Sequence, residues 1–222
     1  MDYITPLSVA LFFSAYLIGS IPTSIWLGKR FYGVDIRNFG SGNAGATNTI
    51  RVLGPTAGTI VFVIDVMKGF VAVMLTWLCK KDFVDYYDIF HNEFFAIYKL
   101  IVGFLVIVGH VFPVFSRFKG GKGMATSLGV VLALFPYAAI CATGVFIITL
   151  LVFHYVSLGS VSAAFVFPFF NIFVFNASEW AYLVFSVTVA IFVIVMHSKN
   201  IKRLRNGAET KFFFKKKKPL AR

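Results

Sequence analysis

The stretch FFAIYKLIVGFLVIVGHVF (residues 94–112), followed at once by PVFSRFKGGKG (residues 113–123), decides the fold. The first part is close to the ~20 apolar residues that a helix needs to cross the hydrocarbon core of a bilayer. The second gathers Arg117, Lys119 and Lys122 among Gly120, Gly121 and Gly123. A long apolar run that stops in a short cationic loop reads as a membrane span ending on the positively charged side.

The same pattern repeats outward in both directions. Apolar runs lie at roughly residues 4–27, 56–79, 94–112, 124–137, 138–154, 157–176 and 180–197. The fourth and fifth form one continuous run broken near Pro136, readable as two short tilted spans or one long kinked one. Composition agrees: the chain is 59% hydrophobic, with mean hydropathy +0.83. The exterior of a soluble domain must be largely polar, so a soluble protein of 222 residues could not hide that much apolar surface. The length fits one domain, residues 1–222, with a basic tail from about residue 198.

Most of the 21 Lys and Arg residues fall on three segments. Lys29, Arg30, Arg37 and Arg51 sit in the loop 28–55, Arg117, Lys119 and Lys122 in the loop 113–123, and ten more follow His197. The other face has Lys80 and Lys81 beside Asp82, Asp85, Asp88 and Glu93. The bias predicts an external N-terminus and a cytoplasmic C-terminus. That orientation requires an odd number of spans and favours seven. The expected architecture is an all-α polytopic membrane helix bundle with seven transmembrane helices.

A net charge of +12 admits nucleic acid, anionic lipid or anionic substrates as partners. No aromatic-and-basic nucleic-acid module is visible, and much of the charge borders the spans, so no nucleic-acid role is expected. The end, Phe212-Phe213-Phe214-Lys215-Lys216-Lys217-Lys218, reads either as a wedge on the anionic inner leaflet or as a solvated tail. Cys79 and Cys141 have no partner motif and read as inert core residues. The first apolar run lacks a basic region before it and an Ala-x-Ala site after it, so it is expected to be retained.

The cationic loops are also the ones rich in small polar residues. Residues 40–51 hold Gly40, Ser41, Gly42, Asn43, Gly45, Thr47, Asn48 and Arg51. Glycines let backbone N–H groups converge, and an Arg fork matches phosphate oxygens. In the second loop, Lys119, Gly120, Gly121, Lys122 and Gly123 precede an apolar helix, an anion cradle in outline. It is not a Walker A loop, because Ser116 stands where the first glycine would be. In the third region, His197, Asn200 and Leu204 share a helix face. Asp65 and Lys68 lie one turn apart inside a span, open to a structural or a functional reading. Ser157 and its small neighbours could line a site or permit close helix packing. His110 is expected to cap or pack near the second loop.

Several machines are absent from the sequence. There is no Gly-x-Ser-x-Gly elbow, no His followed by Asp at the spacing of the common acyltransferase pair, and no acidic cluster for magnesium. No metal and no cofactor are expected.

The three loops resemble those of a known family, the bacterial acyl-phosphate:glycerol-3-phosphate acyltransferases (PlsY). The matching stretches are Gly40-Ser41-Gly42-Asn43 with Gly45-Ala46-Thr47-Asn48; Gly109-His110 with Phe112-Pro113 and Phe118-Lys119-Gly120-Gly121-Lys122-Gly123; Tyr155-Val156-Ser157-Leu158; and His197 with Asn200-Ile201 and Arg203-Leu204. Gly19-Ser20-Ile21-Pro22 and Asp65 with Lys68-Gly69 also match, and Ser198 departs where the family often has Arg. The resemblance implies a multi-pass protein of the bacterial inner membrane with its active site on the cytoplasmic face. It implies transfer of a fatty acyl group from acyl phosphate to the sn-1 hydroxyl of glycerol 3-phosphate, giving lysophosphatidic acid and phosphate. Acyl phosphate, glycerol 3-phosphate and membrane lipids are then the partners, with no obligatory protein partner.

Such chemistry needs two anionic groups held together and charge stabilised as phosphate departs. The expected catalytic residues are His197, Asn200, Ser41, Arg51 and Lys122. Gly42, Asn43, Gly45, Thr47, Asn48, Lys119, Gly120, Gly121 and Gly123 are expected around the substrate phosphates. The hydroxyl proton could pass to His197 or to a substrate phosphate oxygen. A transporter of an anionic metabolite is the alternative, but its polar groups would sit in mid-membrane, whereas these crowd one face. A lipid-binding scaffold would leave the Gly, Ser and Asn loops unexplained.

Overall fold

The computed structural model describes residues 5–83, 93–175 and 179–212. The loop 84–92 and the aromatic and lysine-rich end from Phe213 onward lie outside the described residues. Among those described, all regular structure is helical.

The first apolar run folds as α1 (Pro6–Ser20) and α2 (Thr23–Tyr32), bent by 43° at Ile21 and Pro22. Pro22 cannot donate to the preceding turn, so the helix restarts after it. Lys29 and Arg30 therefore ride on α2 rather than in a loop. A short helix α3 (Ala46–Leu53) leads through Gly54 into α4 (Pro55–Met74), which runs on through a 3-10 turn (Leu75–Cys79) into α5 (Lys80–Phe83). Then come α6 (Glu93–Val111), α7 (Met124–Leu134), α8 (Pro136–Phe153) and α9 (Val156–Phe169). Pro168 inside α9 removes a helical donor, and the chain widens into a π-turn over Phe170–Val174. The bundle closes with α10 (Trp180–Met196) and α11 (Ser198–Arg205), bent by 58° at His197.

Among the described residues, four helical stretches are long and apolar enough to cross a membrane, and six are if each bent pair counts as one. The expected fourth span, 124–137, is shorter: α7 has 11 residues, about 16 Å at the helical rise. The break near Pro136 is present, at Phe135.

Two sets of contacts define the two ends of the bundle. At one end Thr5 donates to Asp82 and the Trp180 indole donates to Glu93. At the other, Arg51 donates to Thr210, Lys122 to Asn200 and Ser157 to Glu209. The loops singled out in the sequence all meet at this second end.

Glycine lets the helices around the second end approach backbone to backbone. A Cβ on Gly129 of α7 would lie 1.9 Å from the Val66 carbonyl oxygen of α4, and one on Gly69 would lie 2.2 Å from the Thr126 oxygen. Across α1 and α6, Gly19 and Gly109 do the same against Val106 and Tyr16. In a lipid solvent such small-residue contacts replace the hydrophobic effect as the source of helix association. Gly129→Ala is expected to lower stability by about 1–3 kcal/mol, the range for overpacking, read as a lower Tm in detergent. An unchanged Tm would mean the α4–α7 contact is looser than described. Elsewhere, Asn171 in the π-turn after α9 donates to Ser186 of α10 at 2.8 Å, satisfying a buried amide inside the bundle.

Candidate active site

The first loop is tied down from inside. Asn48 on α3 is 1% exposed, and its Nδ2 donates to the Ile36 and Phe39 carbonyls while its Oδ1 accepts from the Ser41 N–H at 2.8 Å. Asp35 caps the preceding 3-10 turn and pairs with Arg37 and Lys29, which together hold its carboxyl far below the usual range against the opposing effect of its burial. Arg37 also donates to the Ser116 carbonyl, joining the first loop to the second. Asn48, Thr49, Val52 and Leu53 form the buried face of α3. The other face presents Thr47, Ile50 and Arg51 to a cavity of about 460 Å³.

In the second loop the glycines serve packing. The Gly120 N–H donates to the Val111 carbonyl and the Gly121 N–H to the His110 carbonyl, both at 3.2 Å. Any Cβ there would strike the end of α6. The sequence outline expected these amides to cradle a phosphate; here they are already paired, and neither glycine lines the cavity. Lys119 is exposed and also off the cavity. Gly123, in the left-handed region with φ 81°, caps α7 and turns Lys122 inward. Met124 and Ala125 line the cavity, so the positive end of the α7 dipole opens on it. In the first loop, likewise, the Gly42 N–H donates to Phe39 and the Gly45 N–H to Asn43. The hydroxyls of Ser41 and Thr47 and the Asn43 side chain line the cavity without a protein partner among the described residues.

The third region supplies a chain of hydrogen bonds. Lys122 Nζ donates to Asn200 Oδ1 at 2.5 Å, and Asn200 Nδ2 donates to Glu209 Oε1 at 2.8 Å. Ser157 Oγ donates to the same Glu209 oxygen at 2.9 Å, and Arg203 Nε to the other at 2.7 Å. Burial pushes the Glu209 carboxyl up, but the hydrogen bonds from Arg203, Asn200 and Ser157 outweigh it and hold the group ionised below its ordinary range. His197 is 3% exposed, with Nδ1 at 2.8 Å from the Val193 carbonyl. That contact places a proton on Nδ1 and leaves Nε2 as an acceptor.

Nothing in the sequence singles out Glu209, because a lone acid in a basic tail reads as solvated. The chain after α11 folds back, so that Phe212 N–H donates to the His154 carbonyl at 2.7 Å and Phe212 lines the cavity. Asp65 and His110 line the cavity floor. Asp65 pairs with Lys68 at 2.8 Å and accepts from Thr23 at 3.0 Å, while His110 Nδ1 lies 3.7 Å from the same carboxyl oxygen. Beyond the polar end, Phe62, Phe146, Ile147, Leu150 and Leu151 make an apolar flank. Ile147 and Leu151 are exposed on the outside of the bundle.

Lys68 and Arg203, which do not line the cavity, pair with the lining carboxylates Asp65 and Glu209. Arg51 and Lys122 have no carboxylate partner among the described residues, and both face the cavity. Burial pushes the Lys122 ammonium down to about 8, with repulsion from Arg203 and Arg51 adding to it and attraction to Glu209 opposing it. The charged form is therefore present below that pH and lost as pH rises through it. For any reaction that needs this charge, kcat/KM, which reports the free enzyme, is expected to fall above about pH 8. Lys122→Arg should move that fall to higher pH. A flat wild-type profile to pH 10 would contradict the assignment.

A family model described as glycerol-3-phosphate acyltransferase matches residues 9–207. Curated relatives with that name include one from Listeria monocytogenes, 45% identical over 197 residues, covering 89% of this chain and 92% of that one. One from Fusobacterium nucleatum is 43% identical over 90% of this chain and 95% of its own length. A crystal structure of PlsY, an integral membrane glycerol 3-phosphate acyltransferase, in its glycerol 3-phosphate form superposes with a TM-score of 0.80 at 36% identity, covering 93% of this chain and 96% of that one. Its lysophosphatidic acid form gives a TM-score of 0.78 at 34% identity over the same shares. The cationic, glycine-rich loops that meet at one end of this helical bundle thus belong to a recognised lineage, and the chain is a member of the glycerol-3-phosphate acyltransferase family.

Proposed function

We propose that the cavity transfers a fatty acyl group from acyl phosphate directly to the sn-1 hydroxyl of glycerol 3-phosphate, on the cytoplasmic face of a bacterial membrane. The chain acts as a single integral membrane domain, and α7 makes the seventh crossing. The observation that carries this reading is the pair Arg51 and Lys122, two cations without carboxylate partners among the described residues, facing one cavity whose other flank is apolar. Two phosphates suit the cationic end. An acyl chain suits the groove between Phe62 of α4 and Phe146, Ile147 and Leu150 of α8, open to lipid at Ile147 and Leu151.

An acyl phosphate is a mixed anhydride with a good leaving group, so no acyl-enzyme is needed. The hydroxyl oxygen attacks the carbonyl carbon, and the bond from that carbon to the phosphate oxygen breaks. The electron pair leaves with inorganic phosphate. Arg51 and Lys122 neutralise charge as it develops, and Ser41, Asn43 and Thr47 orient the substrates. His197 Nε2 accepts the hydroxyl proton, with Asn200 holding Lys122 beside it.

His197→Ala is expected to lower kcat by about 10²–10³-fold, within the range for a lost general base. A loss below tenfold would move the proton to a substrate phosphate oxygen. The donor is tested by offering the purified protein in lipid palmitoyl phosphate, palmitoyl-CoA or an acyl carrier protein thioester with glycerol 3-phosphate. Lysophosphatidate is expected with palmitoyl phosphate alone. Equal rates with the thioesters would overturn the donor assignment.

A further inference from the structure

The bend at His197 has two sides. Its inner side carries His197 and Asn200 into the cavity. Its outer side forms a separate concave recess of about 600 Å³, lined by Ile194, Val195, Ser198, Ile201, Lys202, Arg205 and Asn206. These positions follow one helical face across the 58° bend, and among the described residues no other element contributes a wall. The recess is divided by chemistry. Ile194 and Val195 belong to α10, whose neighbouring Ile191 is 57% exposed on the outside of the bundle. Ser198, Lys202, Arg205 and Asn206 belong to α11 and the turn after it, at the end of the bundle where the basic loops gather.

Lys202 and Arg205 are exposed and have no carboxylate partner among the described residues. Arg203, on the inner side of the same short helix, pairs with Glu209. The helix thus separates its four cations: Arg203 is consumed by the fold, Lys199 is exposed away from the recess, and Lys202 and Arg205 are left over an apolar wall. A recess with a greasy lower half and a doubly cationic upper half matches an amphiphile with an anionic head. A nucleic acid or soluble anion would leave Ile194 and Val195 unused, and an uncharged lipid would leave Lys202 and Arg205 unused.

We propose that this outer recess is a binding site for one anionic phospholipid of the surrounding leaflet. Lys202 and Arg205 hold its phosphate, Ser198 and Asn206 supply further hydrogen-bond donors, and its acyl chains lie along Ile194, Val195 and Ile191. The site is distinct from the acyl-transfer cavity, lying on the opposite side of the helix that carries His197 and Asn200.

The test is retention of lipid by the full-length protein, measured by native mass spectrometry after equilibration with mixed micelles of detergent with phosphatidylglycerol or phosphatidylcholine. Phosphatidylglycerol is expected to be retained selectively, with one molecule held more tightly than the rest. At about fivefold in affinity for each basic residue near the surface, the double variant Lys202→Gln with Arg205→Gln should weaken that molecule roughly 25-fold. Each single variant should weaken it about fivefold. The double variant Lys215→Gln with Lys216→Gln removes the same charge from the tail and should leave the tight molecule in place. Equal retention of the two lipids by the wild type would overturn the proposal. So would unchanged retention in the Lys202 and Arg205 variants. An equal loss in the tail variant would reduce the effect to general charge and overturn it as well. Tm of each variant, compared with wild type, shows whether a loss of lipid reflects the recess or an unfolded chain, and the two single variants supply the result if the double variant is unstable.

Discussion

Lys122→Ala is expected to lower kcat/KM for both substrates by about 10²–10³-fold, the scale for removing one preorganised charge stabiliser from a site of this kind. Three features concentrate the effect on this residue. Lys122 is turned into the cavity by the left-handed cap at Gly123. Its ammonium touches Asn200 at 2.5 Å, and through Asn200 it is coupled to Glu209 and Arg203. It has no carboxylate partner of its own among the described residues, so its charge is left for substrate. The loss should appear with little change in Tm, since Asn200 keeps its bond to Glu209 and the tail stays in place. Lys122→Arg keeps the charge and should recover part of the rate. A wild-type rate in Lys122→Ala would misplace the site altogether.

Asp65→Ala is expected to have the largest effect on stability. Asp65 is 2% exposed and Lys68 is 7% exposed, and they pair at 2.8 Å within α4. Thr23 donates to the same carboxylate, and Lys68 also donates to the Ile21 carbonyl at 3.2 Å, in the bend between α1 and α2. Removing the acid leaves a buried ammonium with only neutral partners. Breaking a buried pair from one side costs about 3–5 kcal/mol, a fall in Tm on the order of 10 °C for a chain of this size. Replacing both residues, with Asp65→Leu and Lys68→Met, removes the stranded charge and should restore most of the lost stability. If activity stays low in the restored double variant, Asp65 acts in the site as well as in the fold. If Asp65→Ala melts like wild type, the pair carries no structural weight.

Much of this architecture was legible in the sequence because the bilayer leaves few choices. Long apolar runs must be helices there, and the clustering of Lys and Arg sorts the loops to one end. The length of α7 was less legible: the helix ends at Phe135, before Pro136, and the backbone contacts at Gly129 and Gly69 that seat it against α4 leave no trace in hydropathy. The bend at Pro22 was likewise hidden inside an apolar stretch that read as continuous, whereas the bend at His197 falls where the last apolar run meets the basic tail.

Residue types in the loops pointed to the chemistry without giving directions to individual groups. Ser41, Arg51, Lys122, His197 and Asn200 do face one cavity. The amides of Gly42, Gly45, Gly120 and Gly121 turn instead to neighbouring carbonyls, and Asn48 spends its side chain closing the first loop. A glycine-rich composition is equally compatible with an amide cradle and with close backbone packing, so it could not separate the two. Glu209 escaped because its partners, Ser157 and Asn200, are brought to it only when the chain doubles back after α11.

The central claim is direct transfer between two substrates bound together at the Arg51 and Lys122 end of the cavity. It is tested most directly by following inorganic phosphate release from palmitoyl phosphate by the purified protein in lipid, with and without glycerol 3-phosphate. Phosphate is expected only when glycerol 3-phosphate is present, one for each lysophosphatidate formed. A burst of one phosphate per protein in the absence of glycerol 3-phosphate would reveal an acyl-enzyme and contradict the account.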